Sequence, residues 1–221
     1  RAGRAGRTEA GQVFRLWTES EQQGLLAQTP AEINRIDLCN VLLSIFHWGT
    51  KPSNFGWYEK PPEANTLKAT ELLRLLRLEK DDKITELGKK VLHFPLHPRL
   101  AVLLFKAKEE GMTEAAAAMA ALLAERDIID WPLFNKNMSN LSLEPGPSDV
   151  LHRLSLLRKF ENEGATSKAA RNLGLRISSL REVRKSRAEI IKICKAPFDS
   201  IVEREGSEKQ LLNLLFHAYP D

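Results

Sequence analysis

The chain has 221 residues, 43% hydrophobic and 28% charged, which excludes an intrinsically disordered polymer and suits one large globular domain or two small ones. The net charge of +4 and a pI near 9.1 permit a polyanionic partner without requiring one. Cys39 and Cys194 lie far apart and offer neither a disulfide framework nor a metal-ligand spacing, so a reducing cytoplasm is expected. The longest apolar run, residues 115–124, is too short to cross a bilayer.

Residues 1–27 do not read as a free domain. Gly11-Gln-Val-Phe-Arg-Leu-Trp17 alternates well enough to predict a strand, one that needs partners from elsewhere. Thr29-Pro-Ala-Glu32 has the form of a capping box with proline at the first helical position. It predicts a helix from Thr29 to Gly49. Residues 51–62, with three prolines and several aromatics, predict a packed loop. A second helix is predicted over residues 64–78, with Leu72, Leu73, Leu75 and Leu76 facing inward. Lys80-Asp-Asp-Lys83 then predicts the turn of a small hairpin, and Leu87-Gly88 leads into another helical turn. Helix, helix and hairpin in that order predict a winged helix over residues 28–90.

Beyond it, a helix is predicted from Pro98 to Glu110, closed by Gly111. Thr113 is expected to cap an alanine-rich helix over residues 114–125. Residues 128–147 read as a connecting loop. A helix follows from Ser148 to Glu163 and ends at Gly164. Basic helices come next over residues 167–195, and a last helix starts at Ser207. The fold class is therefore mainly α: a winged helix, a helical bundle over residues 91–164 and a basic helical extension over residues 165–221. Residues 165–195 hold nine Lys or Arg against two acids, the sharpest charge asymmetry in the chain.

The chemistry-bearing stretch is Arg1-Ala-Gly-Arg4-Ala-Gly-Arg7. Arginine offers a rigid fork of donors that stays charged, and glycine lets backbone approach a phosphate closely. By composition alone the run also fits a flexible basic tail, since Gly-Arg segments occur in disordered RNA-binding regions. The run resembles motif VI of superfamily 2 helicases, whose DEAH-box form reads Gln-Arg-x-Gly-Arg-Ala-Gly-Arg; the glutamine would precede residue 1. Gly11 to Trp17 resembles the segment that follows this motif. Glu32-Ile33 with Arg35 and Leu38, the pair Pro61-Pro62, Ile84-Thr85-Glu-Leu87-Gly88, and Phe94-Pro-Leu-His-Pro-Arg-Leu100 resemble later stations of the same family, in order, over residues 1–126. Leu-His-Pro-Arg-Leu and the terminal Ala218-Tyr-Pro-Asp221 are most similar to the bacterial HrpB-type subfamily.

The resemblance implies that the chain is a piece of a longer ATP-dependent helicase. Residues 1–27 would be the end of its second RecA-like motor domain, and residues 91–164 its ratchet-like domain. It also implies that Arg4 and Arg7 reach the ATP γ-phosphate, with Gly3 and Gly6 beside the nucleotide, and that Arg1 is structural. ATP and Mg2+ would be held by the full-length protein only, so this piece alone is not expected to hydrolyse ATP. The implied partner is single-stranded nucleic acid, RNA by preference, translocated and unwound by the whole protein.

Candidate strand contacts are Arg99, Lys106, Arg181, Arg184 and Lys185. Arg99 has an equal alternative in pairing with an acid. The basic stretch reads first as a solvated helix face, next as a phosphate-contacting helix, and last as a helix-turn-helix with Gly174 in its turn, whose second half fits poorly. His93 and His97 flank Pro95 and lack a third ligand, so no metal site is expected. The rival function is a non-enzymatic winged-helix regulator, for which Arg1 to Arg7 would have no use; a third reading is a docking surface for another protein.

Overall fold

The computed structural model describes residues 4–26, 29–137, 148–195 and 206–221. The chain divides into two units, residues 1–36 and 37–221. Among the described residues it is mainly helical, with a single two-stranded ladder.

Among its described residues the first unit holds one short α-helix, α1 (Glu19–Gly24), started by a complete capping box. The Thr18 hydroxyl accepts from the Glu21 N–H, and the Glu21 carboxylate accepts from the Thr18 N–H at 2.8 Å. The strand predicted at Gly11 to Trp17 does not form. The alternation is there, but no ladder partner is among the described residues, and Phe14 and Leu16 stand 82% and 94% exposed. The capping box predicted at Thr29 to Glu32 is also absent. Residues 32–34 make only a 3-10 turn, with Ala31 at its cap and no side-chain bond.

In the second unit, Asp37 starts the helix that Thr29 was expected to start. Its carboxylate accepts the Cys39 N–H at 2.8 Å, an Asx-type turn that launches α2 (Cys39–His47). α2 buries Leu42, Leu43, Ile45 and Phe46 against α3 (Glu63–Leu75), which contributes Ala69, Leu72 and Leu73. Leu76 is buried as predicted, but Leu75 is 46% exposed, one residue off the apolar face.

β1 (Glu79–Lys80) and β2 (Lys83–Ile84) form the predicted hairpin, antiparallel with Glu79 opposite Ile84. Asp81 and Asp82 both take positive φ (53° and 60°), the geometry of a tight hairpin turn. Glu79 is 2% exposed. Its carboxylate accepts from Arg74 Nε at 2.8 Å and from the Asp82 N–H at 2.6 Å, so the buried charge is paired and hydrogen-bonded. The Thr85 hydroxyl caps α4 (Glu86–Leu92). A β-carbon at Gly88 would lie 2.3 Å from the Leu78 carbonyl oxygen, so only glycine fits there.

α5 (Pro98–Glu110) has the predicted bounds, ending at Gly111 with φ +74°. α6 (Thr113–Ala124) buries nearly its whole length, and its small side chains let α5, α8 and α10 pack around it. Thr113 is not the cap it was expected to be. It lies inside the helix, its hydroxyl buried and without a hydrogen-bond partner among the described residues.

The loop expected at residues 128–147 contains α7 (Trp131–Asn137), and the rest of that stretch from residue 138 lies outside the described residues. α8 (Asp149–Asn162), α9 (Ser167–Asn172), α10 (Ile177–Lys195) and α11 (Glu208–Ala218) follow. Gly174 turns between α9 and α10 at φ +66°; a β-carbon there would lie 2.4 Å from Phe134 Cα. No described helix is long and apolar enough to cross a membrane.

Candidate nucleic-acid interface

Arg4 and Arg7 are exposed, and neither makes an ion pair among the described residues. Gly6 has open space, its nearest neighbour being the Glu9 carbonyl oxygen at 3.8 Å from a built β-carbon. Gly11 is the opposite case: a β-carbon would sit 1.9 Å from the Ala5 carbonyl oxygen. The chain therefore doubles back on the Ala5 backbone, and Gly11 is what permits it. Arg1 and Gly3 lie outside the described residues.

The candidate strand contacts separate into engaged and free groups. The Arg99 guanidinium binds both oxygens of Asp221, at 2.7 and 2.6 Å, and donates to the Ala218 carbonyl at 3.2 Å. It also lies 4.8 Å from the centre of the Tyr219 ring. The side chain is 14% exposed, so Arg99 is built into the packing of α5 against α11. The same bond holds the Asp221 carboxyl below its ordinary range and raises Arg99; burial pushes the Tyr219 phenol up.

Lys106 pairs with Glu109 at 2.6 Å. Arg184 lies 3.3 Å from Glu161 of α8, whose carboxylate also takes both outer nitrogens of Arg187 at 3.0 and 2.7 Å. Arg181 and Lys185 are exposed, and neither has an acidic partner within 4 Å among the described residues.

One cluster escaped the sequence reading. Asp37, Cys39 and His97 bring their ligand atoms within 4.8 Å of one another, from positions sixty residues apart. His97 Nε2 faces Asp37 at 3.2 Å, and its Nδ1 accepts the Arg99 N–H at 3.3 Å as the cap of α5. That second bond places the ring proton on Nε2, where a metal would have to bind. Burial also pushes the Cys39 thiol up, which keeps it protonated. The donor set therefore fits a closed hydrogen-bonded cluster better than a cation site. Burial raises the Asp37 carboxyl, but the Cys39 N–H and thiol and the His97 ring outweigh it, and Asp37 titrates below its ordinary range.

No family model matches the chain. It is 35% identical over 126 residues to the ATP-dependent RNA helicase HrpB of Escherichia coli (strain K12), which covers 57% of this chain and 16% of that protein. It is 31% identical over 166 residues to the probable ATP-dependent RNA helicase DHX35 of Homo sapiens, covering 74% of this chain and 22% of that one. The chain is a homologue of part of the DEAH-box ATP-dependent RNA helicases.

The probable ATP-dependent RNA helicase DHR2 of Saccharomyces cerevisiae extends the likeness to 96% of the chain, at 28% identity and 31% of its own length. A crystal structure of the E. coli DExH-box NTPase HrpB shares the fold over all of this chain, with a TM-score of 0.58 and 24% identity, and the match spans 22% of that structure. The chain thus covers less than a third of each of these helicases. A non-enzymatic regulator is not favoured by these relatives.

Proposed function

We propose that the chain is an accessory portion of an ATP-dependent RNA helicase, and that Arg4 and Arg7 stabilise charge on the ATP γ-phosphate when two motor lobes close. The observation that carries this is the Arg4-Ala-Gly-Arg7 run itself, whose guanidinium groups are exposed and unpaired among the described residues in a chain homologous to such helicases. An arginine in that role contributes roughly 10³ to 10⁵ in rate. Gly3 and Gly6 let the backbone approach the nucleotide. ATP and its Mg2+ belong to the motor lobes of the full-length protein, which works in the cytoplasm.

In this reading residues 1–27 end the second motor domain, residues 28–90 are a winged helix, residues 91–164 a ratchet-like domain and residues 165–221 a basic extension. The helix–helix–hairpin order of α2, α3 and β1–β2, with α4 after it, supports the winged helix. Closure of the lobes drives translocation along one strand and unwinding of the next duplex. Arg181 and Lys185 are the strand contacts best supported by exposure; Arg99, Lys106 and Arg184 would have to exchange an intramolecular carboxylate for a phosphate.

The test is RNA-stimulated ATP hydrolysis by the full-length protein with Arg4→Ala and Arg7→Ala. Lost turnover with a retained fold supports the assignment. Full turnover in both variants removes it.

A further inference from the structure

α10 has two faces of opposite character. Leu180, Val183, Ile190 and Cys194 are buried against the rest of the second unit. At roughly 100° per residue, Arg181, Lys185, Lys192 and Lys195 fall within about 40° of one line on the exposed side of the helix, about 145° round from that apolar stripe. All four are exposed, and none has a carboxylate within 4 Å among the described residues. Ala188 is the fifth residue on the same line, and its small side chain leaves the middle of the stripe open. Glu182 and Glu189 sit about a quarter-turn round on one side, and Arg184 and Arg187, neutralised by Glu161, lie on the other.

We propose that this stripe, Arg181, Lys185, Lys192 and Lys195, is a track for the phosphate backbone of a single RNA strand. It rests on the helicase reading above and extends it: Lys192 and Lys195 join the contact, and Arg184 leaves it. From Arg181 to Lys195 the helix rises about 21 Å at 1.5 Å per residue. That length is enough for several consecutive phosphates of one strand to lie along it. The stripe is one side chain wide, which suits one backbone rather than the two rails of a duplex. No aromatic side chain stands on the stripe for bases to stack on. Contact is therefore to phosphates, and base preference is weak.

The four cations stay unpaired because α10 meets the molecule through its other side. Glu161, the acid that neutralises part of the helix, reaches only Arg184 and Arg187. Each free cation that binds a phosphate releases a counterion, so binding carries a salt dependence that counts them, with a slope of about −0.7 per contact for single strands.

The experiment is fluorescence-anisotropy titration of a labelled 20-nucleotide oligouridylate with the full-length protein, without nucleotide, over a series of KCl concentrations. Arg181→Ala/Lys185→Ala/Lys192→Ala/Lys195→Ala should lower the magnitude of the log K against log [KCl] slope by about 3, and weaken binding at least tenfold at the lowest salt. Each single substitution should lower the slope by about 0.7, which keeps the test valid if the quadruple variant folds poorly. Arg184→Ala should change affinity less than twofold. A wild-type slope in the single and quadruple variants overturns the proposal. So does an equal or greater loss of binding to a 20-base-pair RNA duplex, which would assign the stripe to double-stranded RNA. Because no ATP is present, failure of the Arg4 and Arg7 assignment would leave this result standing, and the reverse holds too.

Discussion

Arg99, at the start of α5, grips Asp221, 122 residues further along the chain, through two parallel N–H···O bonds. With the Tyr219 ring beneath the guanidinium, this ties the segment after α11 to α5. Arg99→Ala should therefore destabilise the protein by about 1–2 kcal/mol, the lower part of the range for a charge-assisted pair because Asp221 is half-exposed. Amide exchange in α11 should quicken. Arg99→Lys should recover less than half, because an ammonium cannot reproduce the fork. Unchanged exchange in α11 would show that apolar packing alone holds that helix.

Low pH should loosen the joint around α2 and α5. Asp37 and Asp221 both titrate below the ordinary aspartate value of 3.8 in the folded chain. A depressed carboxyl contributes stability that is fully present above its unfolded value and is lost as pH falls through its folded value. The stability difference between wild type and Asp37→Asn should be constant above about pH 5 and shrink below pH 4, read by urea unfolding at each pH. A difference that grew with acid would contradict the sign.

The packing around Gly88 admits no side chain. Gly88→Ala would press a methyl against the Leu78 carbonyl and Ile84 Cγ1, and should cost about 2 kcal/mol or more. Gly49→Ala meets nothing within 4 Å and carries only the strain of φ +74°, about 1 kcal/mol. Thermal unfolding of the two variants should rank them in that order.

The Thr113 hydroxyl is buried without a partner among the described residues, so its desolvation is not repaid there. Thr113→Val keeps the shape and removes the polar atom. It should leave the unfolding midpoint unchanged or raise it, by up to about 1 kcal/mol in stability. A loss above about 1 kcal/mol would show that the hydroxyl has a partner after all.

How much of this was legible in the sequence depended on how local the cause was. Pro98 and Gly111 bracket α5, and Asp81-Asp82 announce the hairpin, because each acts on its own backbone. Thr29-Pro-Ala-Glu32 misled for the same reason. It is a sound local start signal, but the turn at Asp37, whose carboxylate accepts the Cys39 N–H, launches the helix that carries the core. Gly11 to Trp17 has the period of a strand and no ladder partner among the described residues. α7 hid among prolines and asparagines, and its Asn137 side-chain amide donates to the Arg171 and Asn172 carbonyls at the C-terminal end of α9. Of the candidate site, the arginine motif was readable in a line of residues. The division of basic residues was not, because only the folded chain brings Glu161 to Arg184 and Arg187, or Asp221 to Arg99.

The measurement that bears most directly on the central claim is kcat for ATP hydrolysis by the full-length protein, at saturating RNA and ATP, with Arg7→Ala and Arg7→Lys. If the guanidinium meets the γ-phosphate, kcat falls roughly a thousandfold in the alanine variant, and lysine restores only a small part of it. Turnover within twofold of wild type in both variants, with the fold intact, would contradict the account.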